Sequence, residues 1–194
     1  MKKQIIIKIE DETPLTHFFI YKTKRFPIKF DFFKNASLFF FKRQEEFKEI
    51  KIIPLVDEIT ENYFNFTDET IQNFINYIHQ QPISLDNENA VFLNYLANKY
   101  EVLQLIKATE KYIAANHEEL SIQILLIHQN DSQFVTKSYE NIISDNFSYY
   151  IKDERLTDLN FPILYRIFER FQIQKLKNIK NDEIMNFLFK CLDK

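Results

Sequence analysis

The chain has 194 residues, 45% of them hydrophobic and 27% charged, with 25 Lys/Arg against 28 Asp/Glu. That is a globular composition, long enough to bury a core in one domain or two small ones, and not the composition of a disordered segment. It contains no Gly and a single Cys, which excludes Gly-dependent phosphate loops, dinucleotide fingerprints and nucleophile elbows in their standard form, an intramolecular disulfide, and any multi-Cys zinc site.

The 21 Phe, 10 Tyr and 17 Asn fit a codon bias that favours Phe, Ile, Lys and Asn. Asn falls mostly in apparent turns and helix ends, where it tolerates left-handed backbone better than other non-Gly residues. The three isoleucines of MKKQIII are too few for a signal-peptide core, and no apolar run approaches the roughly 18 residues of a membrane span. A soluble chain in a reducing compartment is expected, cytoplasmic with the nucleus left open, and without a membrane partner. Charge is uneven, with 4 Lys/Arg and 11 Asp/Glu in residues 51–120. Lys22, Lys24 and Arg25 are the nearest approach to a basic patch and read as a solvated hairpin tip, so no nucleic-acid partner is expected.

In chain order, QIIIKI (4–9) and HFFIY (17–21) read as strands, and RFPIKF (25–30) as the return strand of a hairpin across KTK. From Asp31 the spacing of Phe32, Phe33, Ala36, Ser37 and Phe40 predicts one helical face over about two turns. EIKIIPLVD (49–57) and ENYFNF (61–66) read as two further strands, with Pro54 at an edge or irregularity. Thr67, Asp68 and Glu69 form a helix start, and Ile71, Phe74, Ile75 and Ile78 give its inner face. After a short extended PISL segment, Leu93, Leu96, Ala97 and Tyr100 mark a second inner face, and Leu105, Thr109, Tyr112 and Ile113 a third. Beyond AANHEEL the pattern is wholly helical: SIQILLIHQ, SYENIISDNFSYYI, DLNFPILYRIFERF with Pro162 in its first turn, and NDEIMNFLFKCLDK.

Chemistry-bearing groups do not converge. His17, His79, His117 and His128 lie far apart without ligand spacing, so no metal site is expected. Lys190 could lower the thiol pKa of Cys191, but a Cys on a Phe-rich helix is read as an inert core residue. The pairs Glu45–Glu46 and Glu118–Glu119 read as solvated faces. No catalytic residue and no cofactor are expected, and the chain is read as a non-enzyme.

The stretch FPIKFDFFKNASLFF (26–40) resembles the signature of BTB/POZ domains, in which a strand of the form Phe-x-apolar-basic leads into a helix closed by Ser and, three places on, an aromatic. Phe26, Ile28 and Lys29 fill the strand, Phe32 and Phe33 the start of the helix, and Ser37 and Phe40 its close. FTDETIQNFINYIHQQPISL and LNYLANKYEVLQLIKATEKYI continue the likeness. His79-Gln80-Gln81 stands where the family has an aromatic-Thr-Gly turn, and Thr109 where many members have Cys. NIISDNFSYYIKDERLTDLNFPILYRIFERF resembles a BACK-type helical region, and the whole is similar to Phe- and Asn-rich versions found among single-celled eukaryotes.

The resemblance implies an α+β fold, with a BTB/POZ domain of small sheet and helical cluster at 1–115 and an all-α BACK-like region, expected to be incomplete, at 116–194. It implies a protein-interaction adaptor that homodimerises and in many members links a substrate protein to a cullin-type ubiquitin ligase, a scaffold without ligase role being the alternative. The family's apolar-x-Glu cullin element is matched in type by Phe47-Lys48-Glu49, while Phe47 reads equally as core at the start of the next strand. The strand around Ile5, Ile6 and Ile7 would have an open edge, and family dimers exchange such a strand.

Overall fold

The computed structural model describes residues 14–56, 66–130, 135–175 and 181–192. The expected strand at 4–9, with Ile5, Ile6 and Ile7, and nearly all of ENYFNF lie outside these residues.

The architecture among the described residues is α+β. Strand β1 (His17–Tyr21) pairs antiparallel with β2 (Lys24–Ile28), and β3 (Ile52–Pro54) adds parallel to β1, giving the order β2-β1-β3. His17, Phe19 and Tyr21 alternate inward along β1, as a one-sided strand requires. The hairpin closes through Lys22-Thr23, with Lys22 at φ 54, a position that usually calls for Gly. Among the described residues of the expected strand at 49–57, three join the sheet. Pro54, which has no N–H to donate, sits at its edge, and the Leu55 N–H takes over by bonding Ile20 O at 2.8 Å.

The signature segment differs from the single helix expected. It forms two short helices, α1 (Phe30–Ala36) and α2 (Leu38–Lys42), separated by Ser37 in extended conformation. Phe33 and Phe40 still reach the core, Phe32 is half-buried and Ala36 is exposed, because the corner rotates the second turn relative to the first. A 3-10 turn at Glu46–Lys48 then leads to β3.

Helix α3 (Asp68–Ile78) follows the sequence reading: the Thr67 hydroxyl accepts from Thr70 N at 3.1 Å, and Ile71, Phe74, Ile75 and Ile78 are all buried. PISL (82–85) lies outside regular secondary structure. Helix α4 (Ala90–Lys99) buries Leu93, Leu96 and Ala97, and α5 (Leu103–Ala115) buries Leu105 and Thr109, with Tyr112 and Ile113 only half-buried. Both α3 and α4 end in the same way. Gln80 (φ 60) and Glu101 (φ 51) are left-handed, and the following N–H reaches back to Asn76 O and Ala97 O respectively, the six-to-one bond of a Schellman cap. Among the described residues, then, the positive-φ positions are Lys22, Gln80 and Glu101, none of them Asn.

The remaining described residues are mainly helical: α6 (His117–His128), α7 (Lys137–Asp145), α8 (Phe147–Tyr150), a 3-10 turn at Glu154–Asp158, α9 (Phe161–Lys175) and α10 (Asn181–Leu192). SYENIISDNFSYYI breaks at Asn146 into α7 and α8. Asn160 Oδ1 accepts from Ile163 N at 3.1 Å, starting α9 with Pro162 in its first turn. Two cores result. In the first, Phe19 meets Phe33, Phe40, Phe74 and Tyr100. In the second, Phe147 meets Phe168, Phe171 and Phe187. Helix α6 serves both and is buried nearly all round: Leu120, Ile124 and Ile127 face the first core, Ile122 and Leu125 the second.

Candidate protein-interaction surface

Ser37 is the joint of the signature segment. Its Oγ donates to Tyr100 O at 2.5 Å and accepts from Phe40 N at 3.2 Å, while its own N–H closes α1 on Phe33 O. One buried residue thus ends one helix, starts the next and ties both to the break between α4 and α5. Tyr100 completes the link from the other side: its ring stacks on Phe40, and its hydroxyl donates to Leu55 O at 2.8 Å and Pro54 O at 3.1 Å. Burial pushes the Tyr100 phenol far above its usual range, so it stays a neutral donor.

The remaining signature positions are structural. Phe26 and Ile28 are buried on β2, and the Lys29 N–H donates to His79 Nε2 at 3.1 Å, which places the ring proton on Nδ1. His79 therefore has a defined task that its place in a divergent turn did not reveal. Only the separation of fifty residues hides it, since the imidazole must be brought back across α3.

His17 is also structural. Its ring stacks on Phe30 at 4.2 Å, accepts at Nδ1 from the Thr16 hydroxyl at 2.7 Å and donates from Nε2 to Phe47 O at 2.7 Å. Burial holds its pKa below the usual value, outweighing the bond to Phe47; Lys51 lowers it further and Asp31 raises it. A neutral ring suits both bonds.

That bond pins the 3-10 turn that carries Phe47. The side chain is 7% exposed and packs on Phe30, Phe39 and Phe40, so the apolar member of Phe47-Lys48-Glu49 lies in the core. Glu49 is exposed. The apolar surface open to solvent nearby belongs to Leu38, Phe41 and Ile50, positions that the sequence reading did not single out. Phe41 is 57% exposed because it lies one residue past the inward Phe40, so the signal was present in the helix phase but the Ser37 break obscured it. Lys42 pairs with Glu101 at 2.6 Å and Arg43 lies over the Phe39 ring at 4.4 Å, giving this face a charged rim.

In the helical region Glu140 is a buried carboxylate. Burial works against its charge, but hydrogen bonds from Arg166 at 2.7 and 2.9 Å and from Thr136 at 2.6 Å outweigh it and hold its pKa below the ordinary range. Cys191 is half-buried on α10. Among the described residues no group of three or more His, Cys, Asp or Glu is placed to hold a metal ion, and no helix is long and apolar enough to cross a membrane. Comparison with protein-family models and with curated proteins finds no match.

Proposed function

We propose that this chain is a protein-interaction module of the BTB/POZ type with a BACK-like helical region, acting as a non-enzymatic adaptor that associates with a second copy and with a partner protein. The observation that carries the reading is the Ser37 corner. The residue that the family signature singles out ties a strand-to-helix segment to the break between α4 and α5 through Tyr100 O, and starts α2 through Phe40 N. A second support is that the buried and half-buried polar groups here are spent on structure: His17, His79, Ser37 and Tyr100 are each bonded to backbone. Self-association through residues 4–9 and bridging to a cullin-type ligase scaffold are the specific forms proposed.

The inward side chain of Phe47 favours the rival form, a cytoplasmic scaffold or oligomerisation module without ligase role. In the ligase form, contact falls on Leu38, Phe41 and Glu49. Two measurements separate the forms. Light scattering on the full chain is expected to give more than a monomer mass, lowered on average by deleting residues 1–10; a concentration-independent monomer refutes the adaptor dimer. Capture with cullin N-terminal regions, lost in Phe41→Asp and Glu49→Ala, supports the ligase form. Absence of binding to any cullin, with self-association intact, leaves the scaffold.

A further inference from the structure

Helices α9 and α10 carry more apolar surface than their own packing uses. At 100° per residue, Phe187 points into the second core, with Cys191, Ile184 and Leu188 next to it and Met185 and Phe189 further round, an apolar arc of about 200°. Asp182, Glu183, Asn186 and Lys190 fill the remainder. On α9, Leu164, Ile167 and Phe171 are buried, while Phe161, Tyr165 and Phe168 form a second stripe beside them. The two stripes enclose a groove of about 470 Å³ in which Glu169 is the one charged lining residue among the described residues.

Two properties of this face specify an occupant. The first is area. Phe161, Tyr165, Met185, Leu188 and Phe189 are each between 39% and 76% exposed. At about 200 Å² for a whole large apolar side chain they leave on the order of 500 Å² uncovered. A standard interface takes roughly 800 Å² per partner, a little over half of it apolar, so this face supplies the apolar share of one side of a stable dimer. The second is shape. Met185 and Phe189 do not line the groove but stand beside it as a ridge, so one surface offers both a ridge and a groove. A two-fold contact requires that self-complementarity, because each copy must present what the other receives.

We propose that the α9–α10 face is an isologous contact with a second copy of this chain, the Met185–Phe189 ridge of each protomer seated between Tyr165 and Leu188 of the other in a four-helix arrangement. It is independent of residues 1–10 and of the BTB reading. Sedimentation of the full chain across a wide concentration range is expected to show reversible association. Phe189→Glu and Tyr165→Glu, at exposed positions, should each weaken it by about tenfold or more while leaving Tm unchanged. If Phe189→Glu lowers Tm, Met185→Lys serves as the ridge variant. The same sensitivity must persist in a chain lacking residues 1–10, which distinguishes this contact from the proposed N-terminal one. Association that these substitutions leave unchanged overturns the proposal. A monomer at every concentration overturns it too, including one whose α9–α10 variants lose binding of some other protein.

Discussion

If Ser37 is a corner between two helices, Ser37→Ala must destabilise; if residues 31–40 formed one helix, the same change would be neutral or favourable. The bond from Ser37 Oγ to Phe40 N is a helix N-cap, worth about 1 kcal/mol. The bond to Tyr100 O is buried, and removing its donor strands the carbonyl at a cost of about 1–2 kcal/mol. Together the loss is about 2–3 kcal/mol, or roughly 4–12 °C in Tm for a chain of this size. In a helix interior, by contrast, Ser→Ala gains up to about 0.5 kcal/mol from propensity. The two readings therefore differ in sign. Urea unfolding followed by far-UV circular dichroism suits a chain without Trp. Leu38→Ala, at an exposed neighbour, should stay within about 0.5 kcal/mol and serves as the control. A Ser37→Ala midpoint equal to or above wild type refutes the corner.

Further outcomes follow from other parts of the fold. Phe47→Ala is expected to cost about 3–4 kcal/mol in the same assay, whereas Phe41→Ala changes stability little; equal effects would contradict the inward placement of Phe47. Gln80→Gly, at φ 60, should raise stability by up to about 1 kcal/mol, since Gly takes left-handed backbone without the Cβ clash; a loss of similar size would argue against that cap. Because burial keeps the His17 pKa below 6.5, the unfolded chain binds the proton first as pH falls. Stability present above pH 6.5 is then lost below it, by at most about 1.4 kcal/mol per pH unit, and levels off under the folded pKa. His17→Gln should flatten that window in Tm-versus-pH curves, while Glu140, and Asp153, whose pKa hydrogen bonds from Arg155 hold down, act at lower pH, below their ordinary values of 4.5 and 3.8. Arg166→Met should cost more at neutral pH than Glu140→Gln, because it leaves a carboxylate that is 6% exposed without its cation; the reverse order would refute this.

The face of α3, its Thr67 cap and the inward Phe33, Phe40, Leu93 and Leu96 were legible from the sequence because they depend on local rules, helical period and capping chemistry, that hold wherever a segment sits. The α+β class was what the BTB/POZ resemblance implied, with the strand and helix patterns of the first 113 residues beside it. The candidate surface was legible only in part: Glu49 is exposed as an interaction residue requires, whereas Phe47 is turned inward on a 3-10 turn pinned by a bond to His17, thirty residues earlier.

What the amino-acid sequence alone determined is which faces are apolar and which Gly-dependent or multi-Cys chemistries are impossible. Tertiary structure decided where those faces turn. Ser37 breaks a helix because Tyr100 O offers it a buried partner sixty-three residues away. Ile52–Pro54 pairs with β1 in parallel, and Gln80 and Glu101 accept left-handed backbone because buried carbonyls must be satisfied even where no Gly is available. Helix α6 is buried on both sides because two cores need it, which its own sequence states only as an excess of apolar residues. Desolvation makes each long-range partner worth more than local preference, and no window of neighbouring residues contains that information.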